Sequence, residues 1–535
     1  MHLWQSIVEQ LTSLWLHSLV SLTTLAIHRC QGLNFTASDK SHRNVQIRPL
    51  RAAPYSAALL VGLIILSVYQ ARLTPADAAK QMENTSSKGA VEYRMGIVDE
   101  SYGIYDDVLE TTRGDVGALQ SALNVPSWMI LAVQHRTRYE TLSDQWEKGQ
   151  VGSDQQLSQR TRVLFGIKNI WDPLRFIVEF QDSRIHLDDA GSVVTNRMVD
   201  EHDILQLHAD LATDNLWDTG LPTLLNVGRI NLDIGRGRWI GRNHFRNTTN
   251  AFDGIHWRIG DERHWHLRTF FVEPVERLAT AMEPVFSNEK LWGIYVESRE
   301  LPWAHAAFHY FGDKSTRAGR DLSMLGARIF KPGGVGKLEY EIESTYEVGT
   351  TAVRDFFVPG VPGFTFGKQT VAHAHFAHFQ HGEIGYTFDR PWEPQLLVRF
   401  DYASNGFDTL HGRRNFELTS TGIFGPLQRS NLLSPAYRVL AKPTDDISLF
   451  VQHRFAWLAD PRGELVTSGL QDPNGASGRY IGQIVEMRAR WSLTDNVALQ
   501  MGYAYFKLGG FATHAPGHTN TSDINYAYVQ TEFLF

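Results

Sequence analysis

The sequence predicts an all-β protein, a transmembrane antiparallel up-and-down β-barrel of about eighteen strands. Three observations predict it. From about Trp128 to Phe535 apolar residues recur with a period of two instead of 3.6, the spacing of strands with two unlike faces. Connections between those strands are alternately long and short, the arrangement of hairpins with short periplasmic turns and long extracellular loops. A mean hydropathy of −0.26 argues against a bundle of spanning helices, each needing about 20 apolar residues in a row, but not against strands that alternate polar and apolar positions.

The 535 residues carry 51 Lys+Arg against 58 Asp+Glu, 43% hydrophobic and 20% charged side chains, and a single cysteine, Cys30. A formal charge of −7 gives no reason for a nucleic-acid partner. It says nothing about a lumen, because net charge ignores which face each group occupies. One cysteine excludes a disulfide scaffold and any cysteine-rich metal site. Of the 51 cations 39 are Arg, whose planar fork suits bidentate carboxylate contacts, although GC-rich codon usage accounts for the bias equally well.

Taken in order, the chain starts with a leader. Arg48 and Arg51 precede the apolar run Ala57–Tyr69, and Ala76, Ala78 and Ala79 follow. A positive segment, an apolar run too short to span and an Ala-x-Ala-like site form a secretory signal peptide over 48–79. Residues 1–47 read as a spurious N-terminal extension, since signal n-regions are short and no Met lies between Met1 and Met82. Residues 80–126 show no sustained period and read as a periplasmic lead-in or partial plug, leaving 127–535 for the barrel.

Strand faces follow. Thr161, Val163, Phe165 and Ile167 alternate with Arg160, Arg162 and Lys168. Leu338, Tyr340, Ile342 and Tyr346 alternate with Glu339, Glu341 and Glu343; Val485, Met487, Ala489 and Trp491 alternate with Glu486, Arg488 and Arg490. A helix would scatter these charges around its surface. Short turn-rich joins lie at 169–174, 260–263, 331–336, 389–395, 443–446 and 492–495, and long polar segments at 185–202, 230–252, 348–370, 403–435, 458–482 and 507–524. The last segment, 526–535 (YAYVQTEFLF), ends on an aromatic residue, which resembles the terminal strand that outer-membrane proteins present to the barrel-assembly machinery.

At 226–254 the sequence reads NVGRINLDIGRGRWIGRNHFRNTTNAFDG. Gly228, Arg229, Arg236, Trp239, Ile240, Gly241, Phe245, Asn247, Phe252, Asp253 and Gly254 resemble the signature of the alginate-export family of outer-membrane barrels. Ile230 stands where Gln is expected and Phe245 where Trp is common. Segments 160–184, 407–438 and 471–481 resemble the same family, so the likeness spans about 127–535. It implies an eighteen-stranded pore in the outer membrane of a Gram-negative-type bacterium, with a positively charged constriction that passes an anionic polysaccharide, an alginate-like polyuronate or related acidic saccharide. It also implies a periplasmic secretion complex as partner, with no cofactor and no nucleic acid.

Alternation places Arg136, Arg138, Arg160, Arg162, Arg258, Arg268, Arg399, Arg454, Arg488 and Arg490 on the lumen face, with Glu140, Glu179, Glu339, Glu341, Glu343, Asp401 and Glu486. Arg lowers the cost of stripping water from a carboxylate, and interleaved carboxylates keep each contact weak enough for a chain to move on. The plainer reading is that a wide barrel needs a charged interior, and Arg–Glu ladders stabilise it without selecting a solute. Arg229 has lipid-facing parity, so either a bulge at Gly228 turns it inward or it sits at the strand's outer end. Arg236, Arg238 and Arg242 lie on the following loop, which either enters the pore or recruits substrate at its mouth.

His373, His375 and His378 do not share one strand face and read as polar strand residues instead of a metal site. No spacing singles out a catalytic residue, which makes an enzyme embedded in the barrel the least favoured class. A general or anion-selective porin for small solutes is the nearer alternative.

Overall fold

The computed structural model describes residues 123–535 apart from 172, 190, 195–197, 244, 263, 281–287, 317, 354–370, 415–416, 495 and 535. The extension at 1–47, the signal peptide at 48–79 and the lead-in up to 122 lie outside the described residues. Eighteen strands form one antiparallel sheet: β1 (Met129–Leu142), β2 (Asp154–Trp171), β3 (Leu174–His186), β4 (Asp200–Thr213), β5 (Thr223–Ile230), β6 (Phe252–Asp261), β7 (Trp265–Pro274), β8 (Glu289–Ser298) and β9 (His305–Ser315) make one half. The other half is β10 (Arg320–Lys331), β11 (Leu338–Val353), β12 (Val371–Thr387), β13 (Gln395–Ala403), β14 (Leu432–Thr444), β15 (Ile447–Trp457), β16 (Tyr480–Thr494), β17 (Val497–Leu508) and β18 (Ile524–Leu534). Each strand pairs with its sequence neighbours, and β1 pairs with β18, so the sheet closes and no edge remains to be protected.

Closure explains the sequence alternation. Ile255, Phe271, Ile294, Phe308, Leu325, Ile342 and Val451 are exposed on the outer wall, where lipid takes the place of a protein core, while their strand neighbours are buried. Among the described residues no helix is long and apolar enough to cross a membrane. Turns at one end are short, such as 445–446 between β14 and β15, whereas connections at the other reach from 404 to 431. β1 starts and β18 finishes at the short-turn end of the sheet.

One outer connection departs from the pattern. Between β9 and β10 only residues 316–319 intervene, while every other outer connection has eleven or more. Two others do not project outward at all. Most described residues of 231–251 and 417–431 are buried, including Leu232, Ile240, Phe245, Leu418, Ile423 and Leu427 at 2% exposure or less. The long polar connections read from the sequence at 230–252 and 403–435 are therefore inner loops.

Candidate functional site

The two inner loops are joined to each other before they meet the wall. Ile240 and His411 form a parallel β-bridge, with the Gly241 amide donating to His411 O at 3.2 Å and the His411 amide to Trp239 O at 3.0 Å. Asn250 Nδ2 donates to the carbonyls of both Gly241 and His411 at 2.9 Å. Gly241 permits this crossing, since a Cβ there would lie 2.8 Å from Gly237 O. From this crossing the loops reach inner faces all round the barrel. Asn247 Nδ2 donates to Arg184 O at 3.0 Å at β3, Trp239 packs edge-on against Phe379 of β12 at 5.0 Å, and Gln452 of β15 donates to Leu418 O at 2.9 Å.

On β1 and β2 the buried inward positions include Arg136, Arg138, Arg160 and Arg162. Arg136 and Arg160 are direct cross-strand partners, an arrangement that repels. Both donate to one acceptor from the first inner loop, Arg246 O, at 2.8 and 3.2 Å. Arg138 pairs with Glu140 at 2.8 Å and lies 3.9 Å over the Phe245 ring. Glu140 also accepts from Tyr526 Oη at 2.7 Å and the Ile423 amide at 3.0 Å, which fixes the second loop. Arg162 donates to Gln181 at 2.9 Å, with Glu179 at 3.9 Å.

The other wall is acidic. Glu341 and Glu343 of β11 are buried, and Glu341 stands directly opposite Glu383 of β12. Arg236 of the first inner loop contacts both, at 3.2 Å to Glu341 and 3.8 Å to Glu383. Arg238 pairs with Glu341 and Glu343, and Trp239 Nε1 donates to Glu343 at 2.8 Å. Glu339 accepts from Gln395. Arg328 of β10 adds a 3.0 Å bond to Glu341.

Between the walls sits Glu417, a carboxylate of the second inner loop. Arg238 Nε and Nη2 donate to its two oxygens at 3.0 and 2.9 Å, Arg429 pairs with it, and Arg399 and Arg236 lie 3.7 and 3.9 Å away. Burial alone would raise its pKa, but these guanidinium groups, Arg238 foremost, hold the carboxyl well below the usual range. Arg454 pairs with Asp401 at 2.8 Å and donates to Glu417 O at 2.8 Å, while Asp401 also meets His381 at 2.8 Å.

The remaining predicted positions lie away from this centre. Arg258 and Arg268 are cross-strand partners near the periplasmic end and share Glu262. Arg488 lies 5.6 Å over Phe450, and Arg490 is 3.7 Å from Glu532 and about one-third exposed. Glu486 accepts from Ser420 of the second loop. Arg229 takes the second of its two expected positions. Register runs unbroken through Gly228, and Arg229, one residue from the outer end of β5, makes a bidentate contact with Asp253 at 2.9 and 3.1 Å. Gly228 and Gly254 are themselves opposed, with φ of 132° and 154°, and a Cβ on either would lie within 2.4 Å of a neighbouring carbonyl oxygen. Phe252 is fully buried, edge-on to His411 at 5.5 Å.

His375 has a carboxylate neighbour that sequence parity did not reveal, Glu347 at 3.3 Å, whereas His378 stacks on Tyr402 of the outer wall. Among the described residues no three His, Cys, Asp or Glu side chains group as a metal site. Sequence reasoning missed Glu417, Arg429, Arg328 and Asp233, which pairs with Arg242 at 2.6 Å. The family-like block at 407–438 contained Glu417 and Arg429, but period-two reasoning has no purchase on an irregular loop.

Residues 127–525 match the family model described as alginate export. Among solved structures, the chain is similar to OccAB2 of Acinetobacter baumannii (TM-score 0.52, 9% identity) and OccK8 (OprE) of Pseudomonas aeruginosa (TM-score 0.50, 9% identity), each match covering 76% of this chain and 98% of that one. OpdK of Pseudomonas aeruginosa, solved with vanillate, is similar to the same extent (TM-score 0.50, 8% identity, 76% and 98% coverage). No curated protein matches the sequence. Identities this low carry the barrel fold alone, and the family match carries the rest. The chain belongs to the alginate-export family, as an outer-membrane channel barrel of the Gram-negative envelope.

Proposed function

We propose that this barrel passes an acidic saccharide of the alginate-like polyuronate class through a lumen lined by arginine. The observation that carries the proposal is Glu417: a carboxylate standing free of the wall is held inside the barrel by Arg238, Arg429, Arg399 and Arg236. Guanidinium groups that hold one carboxylate are chemically suited to a succession of uronate carboxylates, and the buried row Arg136, Arg138, Arg160 and Arg162 supplies further sites. Release requires that no site bind too well. Neighbouring Glu140, Glu179, Glu341 and Glu343 compete for the same arginines and serve that end.

A second reading, a channel for small carboxylate solutes, is favoured by how many of these arginines already have carboxylate partners. OpdK, a barrel of similar fold, was solved with the small carboxylate vanillate. Single-channel recording with added oligosaccharides of equal length separates the two. The polyuronate reading expects oligouronate to interrupt the current for longer as the oligomer lengthens, with neutral oligosaccharide inert. Equal interruption by both oligomers contradicts it, and block by monomeric uronate alone favours the small-solute reading.

A further inference from the structure

Like charges directly opposite one another across antiparallel strands repel, and the inward-facing cases here are each bridged by a group that touches both members. Arg136 and Arg160 share Arg246 O, Glu341 and Glu383 share Arg236, and Arg258 and Arg268 share Glu262. A fourth pair faces outward. Lys290 of β8 is the register partner of Lys314 of β9, both exposed at the outer end of their strands. Asp321 contacts Lys314 at 2.9 Å, and among the described residues none forms a hydrogen bond or ion pair with the Lys290 side chain. Two other outward cations at this rim have carboxylates of their own, Arg229 with Asp253 and Arg184 with Asp182 at 2.7 Å.

We propose that the bridging group for Lys290 and Lys314 is the phosphate of an outer-leaflet glycolipid. Below the lysines the outward face changes as a lipid does. Trp292 lies against Gly312, where a Cβ would be 2.1 Å from the indole, and Tyr310 bonds to Ser323 at 3.2 Å. Tryptophan and tyrosine at this level suit the headgroup boundary, and the exposed Ile294, Val296 and Phe308 beneath them suit acyl chains. The four-residue connection 316–319 is the shortest outer connection, so the rim beside Lys314 carries no long overhang from β9–β10. This inference rests on the outer-membrane barrel alone and is independent of what crosses the lumen.

The test is native mass spectrometry of the purified protein in detergent, titrated with a bis-phosphorylated acylated glucosamine disaccharide lipid or its dephosphorylated form. Wild type retains the phosphorylated lipid and not the dephosphorylated one, and Lys290→Gln/Lys314→Gln weakens retention about tenfold or more. Lys507→Gln, which removes another exposed cation near the outer end of its strand, leaves retention unchanged. Equal binding by the double variant overturns the site, and equal loss in Lys507→Gln reduces it to diffuse attraction. Displacement of the lipid by inorganic phosphate would make it an ion site instead. If the double variant does not fold, Lys290→Gln alone serves, since that side chain makes no hydrogen bond or ion pair with a described residue.

Discussion

Arg136 opposite Arg160 and Glu341 opposite Glu383 are the same problem with opposite signs. Each pair sets two like charges on adjacent strands inside the barrel, and each is relieved by the first inner loop. From the first inner loop the basic pair receives neutral acceptors, Arg246 O and Asn247 Oδ1, with Glu532 of β18 opposite Arg136, whereas the acidic pair receives a full cation, Arg236. β2 and β11 stand nine places apart in a ring of eighteen, so the two pairs face each other across the lumen. The difference teaches that the loop meets the acidic wall with a cation and the basic wall with neutral acceptors, so that the positive charge of the basic wall is answered mainly by carboxylates of the wall itself, Glu140, Glu179 and Glu532.

Breaking the acidic side is expected to have the largest effect. Arg238→Ala removes the one arginine that pairs with all three of Glu341, Glu343 and Glu417, and removing one partner of a buried ion pair costs about 3–5 kcal/mol. Denaturant unfolding of the refolded protein should show that loss, with larger and noisier single-channel currents as the loops come free. Unchanged currents would mean that the loops are held by their apolar contacts alone.

Next comes the joint between loop and wall. Gly228→Ala forces a side chain into a φ of 132° and toward Leu207 O, at a cost of about 1–3 kcal/mol, and should lower refolding yield. Arg229→Gln breaks a largely buried rim pair, its side chains 12% and 20% exposed, and should cost about 1–3 kcal/mol.

Smallest is the pH response. The folded pKa of Glu417 is depressed, so its contribution is fully present above the ordinary carboxylate pKa of about 4.3 and is lost only as pH falls through the lower folded value. Stability of wild type relative to Glu417→Gln should therefore be flat from neutral pH to about 5 and fall below that. A difference that changes between pH 7 and 6 would assign the titration to histidine instead.

How much of this was legible follows from which forces are local. Parity along a strand is local, so the buried faces carrying Arg136, Arg160, Glu341 and Arg454 could be read from alternation, as could eighteen strands from turn chemistry. The 231–251 loop was legible only as a motif. Gly241 within it, and Gly228 and Gly254 on the flanking strands, mark places where backbone must approach backbone, but the sequence does not say that the loop turns inward. Glu417 was not legible as a site residue. Its meaning comes from Arg238, 179 positions away in sequence, and no periodicity links an irregular loop to another irregular loop. Leu418, Ile423 and Leu427 offered the one available hint, being apolar in a connection otherwise read as polar and exposed.

The central claim is that the arginine wall, which the inner loop meets with neutral acceptors, makes the lumen favour anions, and reversal potential tests it most directly. In a planar bilayer under a KCl gradient the account predicts anion selectivity, diminished when Arg136 and Arg160 are both changed to Gln and also diminished by added oligouronate. Cation selectivity in the wild-type barrel, or selectivity indifferent to Arg136 and Arg160, would contradict it.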